Sequence, residues 1–441
     1  MQWDVFCQVI DNYGDAGVCW RLADNLAQRG ERVRLWIDDP APLCWMSAEI
    51  NQAKQQALSL QPAIAGDWLG GAGVTVGARQ AIQIMPWASA QRSDLRQFLQ
   101  AMPHPDVVVE AFGCEIPHAY LEALADSAAS AEAGAAPPAQ PWPQWLNLEY
   151  LSAESYVERM HLLQSPVMFG PAQGQSKTFF YPGFTAKTGG LLREPQLLQA
   201  QAQFDRQQWR SQHFPVLPAV QAKAGQAGTE ALWISLFAYE PECLQDWLQQ
   251  WAAGAQPVVL LAMAGRSQEH LQACWAALGW AGAMQPTSGL ATQQLQHGQL
   301  TVFTLAHVSQ AEFDQVLWAS DCNIVRGEDS LVRALWAGQP FLWHIYPQDD
   351  HAHHAKLDAF LDWLQVPGAW RDAMHQLNGI TPATTSDALH EASRQSPGDW
   401  PSAKALAQWQ TCAQQAKSKL LEREDLASTL RGYVQARVAP R

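Results

Sequence analysis

The stretch that decides the fold is WDVFCQVIDNYGDAGVCWRLADNLAQRGERVRLWI, residues 3–37. Its first eight residues form a short apolar run, and a glycine-containing turn follows. Apolar side chains then recur every fourth residue over 18–26, which predicts a helix with Gly30 just past its C-terminus. The run Arg32–Ile37 predicts a second strand. Strand, helix and strand over this length indicate a right-handed βαβ unit that opens a parallel sheet.

The same alternation continues along the chain in two blocks. The runs IQIM, VVVEAF and WLNLEYL extend the first block to Leu151, and ALWISLFAY, VVLLAM, LTVFTL, CNIVRG and FLWHIY form a second block after residue 230. In the second block Ser309 and Glu312 have the spacing of a capping box, which predicts a helix start. The Ala- and Pro-rich segment 126–143 predicts an exposed loop. We therefore predict an α/β protein with two Rossmann-like doubly wound domains.

The domain limits follow from where the alternation stops. A Gln-, Ala- and Pro-rich stretch without a sustained apolar stripe separates the two blocks, and an Ala-, Gln- and Leu-rich helical segment ends the chain. The predicted parts are an N-terminal domain (1–193), a linker (194–229), a C-terminal domain (230–400) and a helical tail (401–441).

Composition excludes several classes of protein. The 441 residues carry a formal charge of −14, which disfavours a sequence-independent grip on nucleic acid. Apolar runs are too short to span a membrane, and Asp4 and Asp11 lie where a signal peptide would be apolar, so we expect a cytoplasmic protein without a membrane partner. The eight cysteines form no C-x-x-C pair, which argues against a zinc finger and a disulfide framework.

Two carboxylates flank the turn after the first strand. Asp11 and Asp15 lie on either side of Gly14, at the mouth of the first βα unit. Asp15 is a good candidate for the N-cap of the helix, since its carboxylate can accept amide hydrogens of the first turn. Two carboxylates at the C-terminal end of a strand also suit cation binding or proton acceptance. Both interpretations of Asp15 stay open at this point.

The segment NIVRGEDSLVRALWAGQPFLWHIYPQ, residues 323–348, predicts strand, turn, helix and strand. Backbone amides at a helix N-terminus favour an anion, Gly327 permits close approach of a phosphate, and Arg326 adds a charged donor. A diphosphate fits this pattern. Glu328 and Asp329 repel phosphate, so Glu328 is better suited to accept a hydroxyl of a ribose or sugar, and Asp329 has helix capping as an alternative role.

A histidine cluster offers a competing hypothesis. His344, His351, His353 and His354 lie near Asp349 and Asp350, a composition that invites a metal site and a metal-dependent hydrolase. His351 and His354 share a helical face, but the sequence has no H-E-x-x-H motif. We predict no metal site here.

Three blocks of this sequence resemble the EarP family of protein-arginine rhamnosyltransferases. They are DVFCQVIDNYGDAGVCWRLA, YPGFTAKTGGLLRE (Tyr181–Glu194) and RGEDSLVRALWAGQPFLWHIYPQ, and they are distributed over both halves of the chain. The resemblance implies a GT-B glycosyltransferase in which the two domains face a central cleft. It implies inverting transfer of L-rhamnose from dTDP-β-L-rhamnose to an arginine of translation elongation factor P, which helps ribosomes through polyproline stretches.

The resemblance also implies roles for individual residues. Asp15 corresponds to the general base and Asp11 to a second aspartate of the N-terminal domain, and we place Glu328 with them as catalytic. Gln310 corresponds to a contact with the thymine base, and Phe184 lies near the donor. The substrate-binding residues that we expect in all are Asn12, Tyr13, Gly14, Phe184, Gln310, Arg326, Gly327, Asp329, Ser330 and Tyr346.

The expected chemistry is a single displacement without a metal ion or cofactor. An arginine side chain, with a pKa above about 12, is a poor nucleophile until a carboxylate orients it and accepts a proton. Two alternatives remain: a GT-B-like sugar-nucleotide epimerase, and a binding protein that has no protein acceptor.

Overall fold

The structure is a computed structural model of the 441-residue chain. It describes residues 1–10, 14–60, 73–76, 81–92, 94–129, 141–214, 230–280, 285–286, 289–380 and 402–437. The chain divides into two compact units. Unit 1 consists of Met1–Pro195 with Arg423–Arg441, and unit 2 consists of Gln196–Glu422.

Over the described residues, unit 1 is built on a sheet of eight strands. The strands are β1 (Gln2–Cys7), β2 (Arg32–Ile37), β3 (Val74–Val76), β4 (Ile82–Pro86), β5 (Val107–Ala111), β6 (Gln144–Leu148), β7 (Gln164–Pro166) and β8 (Ser176–Phe180). Their order is β3-β4-β2-β1-β5-β6-β8-β7, and the pairs from β4 to β8 are parallel. The central strands are buried along their length, as parallel strands covered on both faces must be.

The helices of unit 1 cover this sheet. They are α1 (Gly14–Gln28), α2 (Leu43–Met46), α3 (Ala48–Leu60), α4 (Leu95–Gln100), α5 (His118–Ala129) and α6 (Tyr156–Met160), with a 3-10 turn at Trp87–Gln91. Leu22 and Leu26 of α1 are fully buried against the sheet, as their spacing predicted. The helix ends before Gly30, which has a φ of +86°, a backbone conformation that glycine adopts without strain.

The first strand ends earlier than the apolar run from which it was predicted. β1 ends at Cys7, because two side-chain carboxylates accept hydrogen bonds from backbone amides that follow it. The amide of Val9 donates to Asp38 and that of Ile10 to Asp15, each over 2.9 Å. A β-ladder needs these amides for its own hydrogen bonds, so the side chains end the strand.

In the described part of unit 2 the sheet has seven strands. They are β9 (Leu232–Leu236), β10 (Val258–Ala262), β11 (Gln285–Pro286), β12 (Ala291–His297), β13 (Leu300–Leu305), β14 (Cys322–Arg326) and β15 (Phe341–His344). The order is β11-β12-β13-β10-β9-β14-β15, and β13 to β15 are parallel. The predicted α/β class with two doubly wound sheets is confirmed.

The helices of unit 2 begin within the segment that the sequence predicted as a linker. They are α7 (Leu197–Ala202), α8 (Arg206–His213), α9 (Leu244–Ala253), α10 (Arg266–Ala277), α11 (Gln310–Ala319), α12 (Gly327–Ala337), α13 (Ala352–Leu364), α14 (Gly368–Leu377) and α15 (Ala403–Leu421). Helix α8 joins unit 2 because Arg210 donates to the carbonyl of Ala319 and stacks on Trp233 at 4.7 Å. The capping box of Ser309 and Glu312 is present at the start of α11.

The last helix, α16 (Leu426–Gln435), belongs to unit 1. Its first amide donates to the carbonyl of Leu191 at 3.0 Å, and Asp425 forms an ion pair at 2.8 Å with Arg29, the residue that follows α1. Gly190, with a φ of +77°, is needed here because a Cβ on it would lie 2.6 Å from the carbonyl oxygen of Glu424. The glycine-rich block 181–194 therefore contacts the start of the terminal helix.

Both sheets have a point where the strand order reverses direction. In unit 1 this point lies between β1 and β5, and in unit 2 it lies between β9 and β14. Loops leave the C-terminal ends of two such strands in opposite directions, so a crevice opens between them, and ligands of doubly wound proteins bind there. The described helices include none that is both long and apolar enough to cross a membrane.

Candidate functional site

In unit 1 the reversal point carries Asp15. It is the second residue of α1, it is 4% exposed, and its Oδ2 accepts the amide of Ile10 at 2.9 Å. The carboxylate thus ties the loop after β1 to the helix that follows it. Its position in the first turn also places the carboxylate at the positive end of the helix dipole. Gly14 begins the helix, whereas Asp11, Asn12 and Tyr13 lie outside the described residues.

The charge of Asp15 affects neighbouring thiols. Cys7, at the end of β1, has its pKa raised well above the usual value, first by a hydrogen bond with Cys19, then by burial, and also by the negative charges of Asp15 and Asp38. A thiol with a raised pKa stays protonated and is a poor nucleophile. Cys7 is therefore a packing residue rather than a nucleophile.

In unit 2 the reversal point carries Arg326. This last residue of β14 is 5% exposed, and its guanidinium lies over the ring of Phe237 at 4.6 Å and over that of Tyr239 at 4.7 Å. Both rings follow β9, the strand beside β14. Stacking uses the faces of a guanidinium, while its N–H donors point outward in the plane. The two rings therefore hold the guanidinium of Arg326 at the C-terminal end of β14.

The turn between β14 and α12 is held by its own side chains. Gly327 has a φ of +60°, and its carbonyl accepts the indole N–H of Trp343 at 2.8 Å. The Ser330 hydroxyl accepts the amide of Arg326 at 3.0 Å and donates to the carbonyl of the same residue. Ser330 is 4% exposed. Its demonstrated contacts therefore fix the shape of the turn at the helix N-terminus.

The two acidic residues of this turn differ in their surroundings. Glu328 is only partly buried, and its Oε1 accepts from the ammonium of Lys356 on α13 at 2.7 Å. Asp329, also partly buried, lies inside the first turn of α12, whose N-cap residue is Arg326. The alternative role of Asp329 as the N-cap is thus wrong, because the helix begins two residues earlier, at Gly327. Its charge still lies at the positive end of the helix dipole.

The remaining predicted residues occupy two places. Tyr346 follows β15, is 43% exposed, and contacts Tyr239 edge to face at 5.6 Å, so it adjoins the Arg326 stack. Gln310 is the first residue of α11, after β13, at the same C-terminal sheet edge of unit 2. Phe184 lies in unit 1 with only 3% of its surface exposed. The ring is packed within the protein, and its predicted place near the donor stays a prediction.

Sequence reasoning missed the aromatic residues that stack on Arg326. The run LFAYE at the end of β9 holds both of them, Phe237 and Tyr239, but an apolar run gives no signal that separates stacking rings from core. It also missed Arg266, which begins α10, stacks on Tyr239 at 5.2 Å and forms an ion pair with Glu240. The reversal of strand order brings this second arginine near the first.

A buried histidine supports the same loop. The amide of Tyr239 donates to Nδ1 of His344 at 3.3 Å, and the two rings meet edge to face at 5.3 Å. Burial lowers the pKa of His344 to about 3, a value to which the nearby Arg326 and Arg266 also contribute. The imidazole is therefore neutral near pH 7, which is the form that can accept the amide hydrogen.

The structure brings three histidines together, with ring nitrogens of His351, His353 and His354 within 4.8 Å of one another. The amide of Gln348 donates to Nδ1 of His353 at 3.1 Å, which places the ring proton on Nε2. A metal-bound histidine instead donates its second N–H to an acceptor. His353 would have to give up this bond to bind a metal, so the cluster is poorly suited to one.

The chain matches the model of a protein family over residues 3–435, and this family is described as Elongation-Factor P (EF-P) rhamnosyltransferase EarP. A protein-arginine rhamnosyltransferase of Pseudomonas putida is 40% identical over 405 residues, which cover 90% of this chain and 91% of that protein. A protein of the same name from Neisseria meningitidis is 33% identical over 361 residues, covering 81% of this chain and 77% of the relative.

A solved structure is similar over the whole chain. That structure is described as "Structural basis for EarP-mediated arginine glycosylation of translation elongation factor EF-P". The sequence identity is 28%, the TM-score is 0.51, and the match covers 99% of each chain.

Proposed function

This chain belongs to the EarP family, and we propose that it transfers L-rhamnose from dTDP-β-L-rhamnose to an arginine side chain of translation elongation factor P. The two doubly wound α/β units are those of a GT-B glycosyltransferase, the fold class that the sequence predicted. Enzymes of this family use a nucleotide-sugar donor. The identity of the nucleotide and the sugar, and the absence of a metal requirement, are parts of the proposal.

The buried Arg326, whose guanidinium lies over the rings of Phe237 and Tyr239, is the observation that carries the proposal. The arginine lies at the reversal point of a doubly wound sheet, directly before the N-terminus of α12. A buried guanidinium and a helix N-terminus both favour a dianionic group such as a nucleoside diphosphate. Tyr346 and Gln310, at the same sheet edge, then contact the nucleoside part of the donor.

The leaving group is a nucleoside diphosphate, whose negative charge grows as the sugar departs. Arg326 and the backbone amides at Gly327 stabilise that charge more strongly in the transition state than in the bound donor. A fixed guanidinium supplies this stabilisation without reorganising, and the reaction needs no metal ion. Glu328, whose Oε1 accepts a hydrogen bond from Lys356 at 2.7 Å, also accepts one from a hydroxyl group of the donor.

The acceptor side of the reaction takes place at unit 1. A guanidinium is planar, charged and without an available lone pair, so it must be oriented and must lose a proton as the new C–N bond forms. Asp15, together with Asp11, binds the guanidinium by paired hydrogen bonds and directs one nitrogen at the anomeric carbon. Asp15 accepts the proton, the bond to the diphosphate breaks, and the anomeric centre inverts. Positioning supplies a large part of the rate.

The test is the intact mass of elongation factor P that is co-expressed with this chain. A mass increase of one deoxyhexose that depends on the chain is expected, and purified components with dTDP-β-L-rhamnose should reproduce it. Donor turnover without the acceptor would favour a sugar-nucleotide epimerase. Donor that binds but stays unchanged in the presence of the acceptor would favour a binding protein, and either result would overturn the proposal.

A further inference from the structure

A second arginine lies at the C-terminal sheet edge of unit 2, close to Arg326. Arg266 is the first residue of α10, the helix that follows β10, and its side chain is 42% exposed. Its guanidinium lies over the ring of Tyr239 at 5.2 Å, and that of Arg326 lies over the same ring at 4.7 Å. Two cations held this close repel each other, and an anion beside them is attracted by both.

Hydrogen bonds to three strand ends fix the start of α10. The hydroxyl of Ser267 accepts the amide of Ala238, after β9, and donates to the carbonyl of the same residue, each over 2.8 Å. The side-chain amide of Gln268 donates to the carbonyls of the last residues of β10 and β13, at 2.9 and 2.6 Å. Arg266 therefore projects from a backbone that is held against β9, β10 and β13.

An ion pair orients the side chain of Arg266. Its Nε donates to Oε1 of Glu240 at 2.6 Å, and its Nη2 donates to Oε2 of the same carboxylate. The pKa of Glu240 is lowered, first by the hydrogen bond from Arg266 and also by the charge of Arg326. Both members of the pair are 42% exposed, and an ion pair this exposed contributes little to stability. Stability alone therefore does not account for the pair.

The strand order places Arg266 between two parts of the proposed donor site. The order is β13-β10-β9-β14, with neighbouring strands about 5 Å apart. Gln310 follows β13, Arg266 follows β10, and Arg326 ends β14. A nucleoside diphosphate with its base at Gln310 and its outer phosphate at Arg326 therefore passes Arg266 with the phosphate that is nearer the nucleoside.

We propose that Arg266 binds the phosphate nearer the nucleoside of the sugar-nucleotide donor, while Arg326 binds the phosphate nearer the sugar; this inference rests on the proposed function. Both phosphates are negatively charged, and a guanidinium binds phosphate by charge-assisted, paired hydrogen bonds. Charge grows on the phosphate nearer the sugar as the bond to the sugar breaks, so Arg326 assists the chemical step. The other phosphate keeps its charge, so Arg266 stabilises the bound donor and the transition state alike.

The test compares Arg266→Gln with wild-type enzyme and two further variants. Glu240→Gln breaks the same ion pair but keeps the guanidinium. Arg371→Gln makes the same change in an arginine of α14, which forms ion pairs with Asp358 and Asp362. Dissociation constants for thymidine, dTMP and dTDP are measured by calorimetry, with competition against dTDP for the weak ligands. Transfer to elongation factor P is measured against dTDP-β-L-rhamnose concentration.

We expect Arg266→Gln to weaken dTMP and dTDP binding by a similar factor, about 10- to 100-fold, because both ligands carry the phosphate that loses its charged donor. The donor KM should rise by the same factor, while kcat and thymidine affinity stay within about twofold of wild type. Arg266→Lys, which keeps the charge without the planar fork, should lose less affinity. Glu240→Gln and Arg371→Gln should bind dTMP within about threefold of wild type.

Unchanged dTMP affinity in Arg266→Gln overturns the inference, and so does a loss confined to dTDP, which would place Arg266 at the other phosphate. An equal loss in Glu240→Gln also overturns it, because the ion pair rather than the guanidinium would then be responsible. Wild-type enzyme that binds these nucleotides without modifying elongation factor P refutes the proposed function alone. Wild-type enzyme that binds none of them refutes the proposed function and this inference together.

Discussion

Replacing Asp15 by Asn tests the proposed proton acceptor with little effect on the fold. Oδ2 of Asp15 accepts the amide of Ile10 at 2.9 Å, and the amide oxygen of an asparagine can accept the same hydrogen. The substitution therefore keeps the tie between β1 and α1 and removes the negative charge and the basic oxygen. Its effect should appear in the chemical step rather than in stability.

The magnitude follows from what a positioned base supplies. Loss of general base catalysis lowers a rate by about 10²- to 10⁴-fold, which corresponds to about 2.7–5.5 kcal/mol in the activation free energy. We expect kcat for transfer to elongation factor P to fall by this factor, while dTDP affinity and the melting temperature stay close to wild type. The assay is the time course of intact acceptor mass in the presence of dTDP-β-L-rhamnose.

Asp38→Asn is the matched control. Asp38 follows β2 at the same sheet edge, and its Oδ1 accepts the amide of Val9 at 2.9 Å, so the two aspartates make equivalent hydrogen bonds to neighbouring amides. Asp38 is exposed, and we expect its replacement to leave transfer within about twofold of wild type. Transfer by the Asp15 variant at the wild-type rate, or an equal loss in both variants, would refute the reasoning.

Three further predictions concern unit 2. Ser330→Ala removes the hydroxyl that accepts the Arg326 amide at 3.0 Å, and Glu328→Ala removes the partner of Lys356. Each variant should bind the dTDP-sugar more weakly by about 1–3 kcal/mol. Calorimetry measures this affinity, and an unchanged value would contradict the prediction. Asp314→Asn breaks a buried ion pair in which Arg333 donates two hydrogen bonds, at 2.8 and 2.6 Å. The free energy of unfolding, measured in urea, should therefore fall by about 3–5 kcal/mol, and a fall of less than about 1 kcal/mol would contradict this prediction. The pKa of His344 is about 3 in the folded protein and about 6.5 in the unfolded chain. Between these pH values the unfolded chain binds more protons, so the free energy of unfolding falls as the pH falls, by at most about 1.4 kcal/mol per pH unit. His344→Gln should therefore flatten the fall in unfolding free energy between pH 6.5 and 4.5, and an identical slope in both proteins would show that another group is responsible.

The predicted secondary structure was reliable where a local pattern controls it. β2 and the capping box of Ser309 and Glu312 occur where the sequence predicted them, because alternation, spacing and capping involve residues that are close along the chain. The end of β1 was predicted three residues too late. Its apolar run continues to Ile10, but carboxylates of Asp15 and Asp38 bind the last amides, and an apolar pattern does not report on backbone hydrogen bonds.

The candidate site was predicted in part for the same reason. Arg326 and Gly327 were found because a strand, a glycine and a helix start are consecutive in the sequence. Phe237 and Tyr239 were missed because their role depends on β9 lying beside β14, a pairing between distant segments. Phe184 was expected near the donor from family likeness, but its 3% exposure shows a packed residue of unit 1, and its site role remains a prediction.

The sequence by itself determined the alternation of strands and helices, the two-domain α/β class and the glycine turn that joins β14 to the next helix, because each depends on neighbouring residues. Only the tertiary structure decided which strands are adjacent, which rings stack on Arg326 and that the last helix returns to unit 1 against Leu191 and Gly190. These features come from contacts between segments far apart in the chain. Such contacts are selected by the packing of the whole unit, and no local pattern encodes them.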